Sequence, residues 1–187
     1  MKEQALTTLF NNAKICKLCS LHENRINCVF HRGSPYSELV FVGEAGGRTE
    51  NETGEPFVGR SGKLLDNMIK AMGFNRDDVY ITNICRCSPP NNRKPTPQEM
   101  DACKPFLIKQ LDIVKPKVIV ALGATAIEGL CGKGYGVLKR RGKWEKYNNI
   151  PVLPTIHPAG CLRNPEWKKL VWQDLRNVLK FLGKIDS

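Results

Sequence analysis

Residues 41–59 read FVGEAGGRTENETGEPFVG. The apolar run LVFV at 39–42 predicts a buried strand that stops at Gly43. A loop rich in glycine and glutamate follows, and it closes on Pro56, Phe57, Val58 and Gly59 just ahead of a helical pattern. A strand that runs through a glycine-lined loop into a helix is where open α/β sheets hold ligands. The glycines let the backbone come close to the ligand, and the peptide N–H groups of the loop can face it. Taken alone, the stretch also fits an acidic surface loop, so the rest of the chain must decide.

Working outward, further strands are predicted at 79–84, 117–122 and 152–156, with the first at 38–43. The third is a continuous apolar run, as expected of a strand buried on both faces. Helical spacing of apolar residues marks 3–15, 61–73, 98–114, 124–130 and 165–183. Segments 20–37 and 89–97 read as loops, and 132–149 as an exposed basic excursion. Four strands alternating with helices imply right-handed crossovers and a parallel sheet. The expected fold is a three-layer α/β/α sandwich with a central four-stranded parallel sheet, in one domain spanning 1–187. Parallel strands end on one edge of the sheet. Gly43 and Glu44, Asn83 and His157 stand at three such ends and are therefore expected to share a pocket.

The 187 residues suffice for one domain with a true core, and 41% hydrophobic with 25% charged residues is ordinary for a globular chain. No apolar run is long enough to span a membrane, and the first residues lack the pattern of a signal peptide, so a cytoplasmic setting is expected. Twenty-nine Lys and Arg against eighteen Asp and Glu leave a net charge of +11. That balance favours a polyanionic partner, and nucleic acid ahead of an anionic membrane because no basic amphipathic helix stands out.

Eight cysteines in a chain without an export signal point to metal or redox use rather than disulfides. Cys16 and Cys19 have the spacing of a ligand pair. Cys87 stands at the exit of the second predicted strand and Cys103 in the first turns of the next helix, which makes Cys16, Cys19, Cys87 and Cys103 the four best ligand candidates. Their spacing does not separate zinc from an iron–sulfur cluster. Cys85, Cys131 and Cys161 read as small buried apolar residues.

Taken together, GEAGG (43–47), EPFVGRSGKLLD (55–66), YITNICRCSPPNNRKPTPQE (80–99), Cys103 to Phe106 and PTIHPAGCLR (154–163) resemble the family 4 uracil-DNA glycosylases, the iron–sulfur members of their superfamily. The likeness covers nearly the whole chain. Two departures stand out: Gly46 replaces the proline of the usual GEAPG, and Gly160 and Cys161 stand where HPAYLLR is usual. The first is expected to loosen the pocket loop and the second to alter a surface that meets DNA. The resemblance implies a [4Fe-4S] cluster on Cys16, Cys19, Cys87 and Cys103, and uracil-containing DNA, single or double stranded, as the partner of a monomer without membrane attachment.

It also implies a DNA repair glycosylase that hydrolyses the N-glycosidic bond of uracil and leaves an abasic site, after flipping the nucleotide out of the helix. His157 would donate a hydrogen bond to uracil O2 as negative charge develops there. Asn83 would pair its carboxamide with O4 and N3–H, a pattern that cytosine reverses. Phe57 would stack on the base, unless it is a core residue, and the backbone of Glu44, Ala45 and Gly46 would line the uracil edge. The water-activating residue stays open between Glu44 and Glu50, either of which could instead orient the loop. Leu162 is a candidate wedge into the emptied stack, and Arg163, Lys168, Lys169 and the basic stretch 133–146 are candidate phosphate contacts. The alternative is a non-catalytic nucleic-acid-binding iron–sulfur protein of the same fold, associated with a polymerase. A phosphate-loop enzyme is excluded, because Gly62 and Lys63 are followed by Leu64 rather than Ser or Thr.

Overall fold

The computed structural model describes residues 1–186. Its centre is a sheet of six strands in the order β1-β3-β2-β4-β6-β5, formed by β1 (Arg32–Gly33), β2 (Leu39–Gly43), β3 (Tyr80–Asn83), β4 (Val118–Leu122), β5 (Glu145–Tyr147) and β6 (Ile150–Thr155). The four expected strands are β2, β3, β4 and β6, and they are parallel to one another. The expected count of four is corrected by two short antiparallel edge strands, β1 against β3 and β5 against β6. Both lie in segments read as loop, and at two and three residues they are too short to show a period in the sequence.

The strands divide the core by simple alternation. Val40 and Val42 of β2 and Ile119 and Ala121 of β4 face one side, where they meet Leu6 and Leu9 of α1 (Lys2–Lys14) and Leu107 and Leu111 of a later helix. Leu39, Phe41, Val118 and Val120 face the other side and pack on Leu65 and Ile69 and on Val171, Leu175 and Val178. Helices on both faces make the three layers. In chain order the remaining helices are α2 (Arg48–Thr53), α3 (Arg60–Ala71), α4 (Pro97–Val114), α5 (Ala124–Cys131), α6 (Val137–Arg140), α7 (Pro158–Arg163) and α8 (Trp167–Phe181). None of the described helices is long and apolar enough to cross a membrane.

Helix α4 begins at a capping box. Thr96 accepts the Glu99 N–H at 3.2 Å, Glu99 accepts the Thr96 N–H at 2.8 Å, and Pro97 occupies the first turn, where its missing N–H costs nothing. Arg93 clamps the same Glu99 with bonds of 2.9 and 2.7 Å, and this guanidinium, followed by the backbone bond, holds the carboxyl down at about 2.

The basic excursion is more ordered than its composition suggests. Arg140 is buried and pairs with Glu145 at 2.8 and 2.5 Å, while Arg141 reaches the buried Asp174 of α8 at 2.6 and 3.0 Å. Asp174 also accepts the Thr155 hydroxyl at 2.7 Å. These two arginines anchor the excursion to β6 and α8, leaving Lys133, Lys139, Lys143 and Lys146 as its exposed cations.

Candidate active site

A cavity of about 780 Å³ opens at the C-terminal edge of the parallel strands. Glu44 follows β2, Asn83 ends β3 and His157 follows β6, and all three line it. The expected convergence of three remote stretches is present. The fourth parallel strand contributes as well: Leu122, Gly123 and Thr125 at the exit of β4 line the same cavity. Gly123 ends an apolar run as Gly43 does, so the sheet-edge rule that brings the other strand ends together applies equally to it. Gly123 has φ of +87°, and a Cβ there would sit 2.9 Å from the His157 Cβ, so only glycine lets β4 end against the histidine.

His157 is the N-cap of α7, a helix of six residues. Its Nδ1 accepts the Ala159 N–H at 3.0 Å. An acceptor at Nδ1 puts the proton of the neutral ring on Nε2. Burial, and after it the charge of Arg163, lowers this imidazole from 6.5 to about 4, so it is neutral at physiological pH. The residue is half-buried and lines the cavity.

Phe57 is only 5% exposed and belongs to the core under β2, yet it also lines the cavity and lies against His157, with ring centroids 5.6 Å apart and 27° between planes. Core packing and a place in the site are the same position here. Its backbone is left-handed, with φ of +54°, a conformation that costs energy in a residue with a side chain. The neighbours hold it there: a Cβ on Gly43 would come within 2.5 Å of the Phe57 ring, and one on Gly62 within 1.8 Å of its carbonyl oxygen. The Oδ1 of Asn83 is buried without a hydrogen-bond partner, and it too lies 2.5 Å from where a Gly43 side chain would begin.

Glu44 and Glu50 have different environments. Glu50 lies on α2, a helix of six residues inside the stretch read as loop. It is buried, with Oε2 accepting the Gly47 N–H at 3.0 Å and Oε1 accepting the N–H groups of Val58 at 3.1 Å and Gly59 at 3.0 Å. One carboxylate thus ties both ends of the pocket loop together. Glu44 accepts a hydrogen bond from the Thr125 hydroxyl through Oε2. No other hydrogen bond to this carboxylate occurs among the described residues. Ala45 and Gly46 also line the cavity.

Gly46 is buried, and a Cβ on it would come within 2.9 Å of both Glu50 Cβ and Ser88 Oγ. The expected loosening of the loop is countered by the Glu50 bonds and by Ser88, whose hydroxyl donates to the Gly47 carbonyl at 3.3 Å. Leu162 and Arg163 are exposed at the rim of the cavity. Gly160 lies beside Trp167, whose ring would be 3.5 Å from a Cβ placed there, and both line the cavity. Trp167 and Arg60 line the cavity too; Arg60 falls within the motif at 55–66, whereas nothing in the local sequence marks Trp167.

The four ligand candidates Cys16, Cys19, Cys87 and Cys103 line one small apolar cavity together with Leu18, Leu21, Arg86 and Phe106. Peptide and guanidinium N–H groups face the sulfurs: Arg86 N donates to Cys103 Sγ at 3.2 Å, and Arg25 Nη1 to Cys87 Sγ at 3.5 Å. Among the described residues no three His, Cys, Asp or Glu are grouped as ligands of a single ion. Cys85 and Cys161 are buried as expected, whereas Cys131 is half-buried. Cys85 lies just past the end of β3, not within a strand. The segment between β3 and α4 joins the two cavities, because Cys87 faces the smaller one while Pro89, Asn92, Arg93 and Lys94 line the larger.

The family model of the uracil DNA glycosylase superfamily matches residues 30–176. A type-4 uracil-DNA glycosylase of Thermotoga maritima is 42% identical over 189 residues, covering 98% of this chain and 97% of that protein. A type-4 uracil-DNA glycosylase of Sulfurisphaera tokodaii is 44% identical over 172 residues, covering 87% of this chain and 78% of that protein. A DNA polymerase of Bacillus phage SP01 is 28% identical over 152 residues, but these make up only 16% of its length. By the extent of the family match and the near-complete alignment with its type-4 members, the chain belongs to the uracil-DNA glycosylase superfamily.

Proposed function

We propose that this protein is a DNA repair glycosylase that removes uracil from DNA by hydrolysing its N-glycosidic bond. The observation that carries the reading is the cavity in which a buried, unpartnered carboxamide oxygen, an aromatic ring and a neutral imidazole meet at one sheet edge. A pure binding module needs none of these, so the polymerase-associated alternative is not favoured.

Breaking the C–N bond sends the electron pair to uracil and leaves positive charge on the sugar. Water then supplies hydroxide to the sugar carbon, and its remaining proton neutralises the base. His157 serves the departing anion: Nε2–H donates to uracil O2 as charge gathers there, and a well-aimed donor of this kind contributes about 3 kcal/mol. Because the ring is neutral beforehand, it stabilises the anion through a hydrogen bond and does not hand it a proton.

Asn83 reads the base. Its unpaired Oδ1 accepts uracil N3–H and its amide N–H donates to O4, while cytosine would leave both groups mismatched in a buried site. Phe57 stacks on the flipped ring, worth about 1–3 kcal/mol. Glu44, with one oxygen held by Thr125, is the carboxylate that takes the proton of the attacking water and releases it to solvent, from which the departed base is protonated in turn. Glu50 orients the loop, since three backbone N–H groups already occupy it. Leu162 fills the gap in the base stack, and Arg163, Lys168 and Lys169 take phosphates.

The cysteine cavity fits an iron–sulfur cluster: four thiols surround it, the other side chains are largely apolar, and N–H donors face the sulfurs. Cys16, Cys19, Cys87 and Cys103 would hold a [4Fe-4S] group, which when bound cross-links the N-terminal segment to the segment after β3. We further assign residues 1–187 to a single domain acting as a monomer in the cytoplasm. The test is incubation with oligonucleotides carrying one uracil, cytosine or thymine, single or double stranded, followed by alkaline cleavage. Strand scission at uracil alone is expected, and none at uracil would overturn the reading.

A further inference from the structure

Arg86 lies between Cys85 and Cys87 and is 1% exposed. Its Nη1 donates to Gln110 Oε1. Gln110 has no charge to offer in return and is itself fully engaged, donating to the Phe30 carbonyl at 3.1 Å and to Tyr80 Oη at 2.9 Å while accepting from Thr82 at 3.2 Å. The Nε and Nη2 of Arg86 are buried with no partner. None of the ion pairs among the described residues includes it. A guanidinium taken out of water without a counter-charge is strongly unfavourable.

The missing counter-charge has one evident place. Arg86 lines the same cavity as Cys16, Cys19, Cys87 and Cys103. Its own backbone N–H donates to Cys103 Sγ at 3.2 Å. An iron–sulfur group on four thiolates is anionic overall, and reduction by one electron makes it more so.

We propose that Arg86 is the internal counter-ion of the cysteine-bound cluster, a positioning residue that secures the group and raises its reduction potential. The inference rests on the cluster reading above and adds to it a defined electrostatic partner. Net charge and hydrogen bonds to sulfur are the levers a protein has on such a potential. Arg25 adds a hydrogen bond, its Nη1 donating to Cys87 Sγ at 3.5 Å and to the Cys16 carbonyl at 2.9 Å, but its guanidinium is only partly buried, so water screens its charge more than that of Arg86.

The test uses anaerobically purified protein carrying its cluster, with iron content, visible absorption and a potentiometric titration against dithionite as readouts. Arg86→Met is expected to lower the ratio of reduced to oxidised cluster about tenfold at the wild-type midpoint, which is about 59 mV for a one-electron couple. Iron loss to a chelator should quicken several-fold, and Arg86→Lys should restore most of both. If Arg86→Met does not fold, Arg86→Met with Gln110→Leu removes the cation and its polar partner together, and the same shift is expected.

Wild-type iron with an unchanged midpoint and unchanged iron release in a folded Met variant would overturn the proposal and leave the cluster standing. Wild-type protein that holds no iron would overturn the cluster reading and this proposal with it.

Discussion

The proton of His157 is placed by a backbone amide. The Ala159 N–H occupies Nδ1 at 3.0 Å, so the donor faces the cavity from Nε2, and burial keeps the ring neutral down to about pH 4. His157→Ala is therefore expected to slow single-turnover excision about a hundredfold. In the wild type, the limb due to imidazole protonation should lie at about 4 rather than at 6.5, which a pH–rate profile with single-turnover sampling reads directly. The two glutamates should separate in a paired experiment. Glu44→Gln should slow the chemical step with little effect on unfolding. Glu50→Gln loses charge-assisted bonds to three N–H groups and should cost about 1–3 kcal/mol in urea unfolding. Equal rates for Glu44→Gln and wild type would remove that carboxylate from the mechanism.

At the scale of elements, the pocket loop shows how a departure from a familiar motif is absorbed. Gly46 takes the place of a proline, yet the space a Cβ would need is occupied by Glu50 and Ser88, both 2.9 Å away. Gly46→Ala should therefore destabilise by about 1–3 kcal/mol through overpacking, as urea midpoints would show. Pairing it with Ser88→Gly should recover part of that loss. The short helix α2 holds Glu50 in place, and it was invisible in the sequence because six residues, RTENET, with no apolar face carry no period. The same holds for α7, whose six residues begin at a proline and are too few to carry a period. By contrast β2, β4, α3 and α8 were legible because each buries an apolar face long enough to leave a pattern.

For the molecule as a whole, two half-buried imidazoles set the acid limb of stability. His31 and His157 both stand at about 4 in the folded chain, chiefly from burial, against 6.5 as the ordinary value. Between these values the unfolded chain binds more protons, so stability should fall as pH drops from 6.5 toward 4 and be indifferent to these groups above 6.5. Urea unfolding at a series of pH values checks this, and His31→Phe should flatten part of the slope.

The strand ends at Gly43, Asn83 and His157 were readable because a parallel sheet forces its C-terminal edges together, whatever the details of packing. The four candidate ligand cysteines and the family resemblance were likewise carried by local strings and spacing. What only the tertiary structure decided were matters of partnership. The orphaned oxygen of Asn83, the three N–H groups on Glu50, the ion pairs that claim Arg140 and Arg141, and the unpaired charge of Arg86 all depend on atoms from distant segments. Periodicity records which face of an element is buried, but it carries no record of which polar atom a buried group will meet.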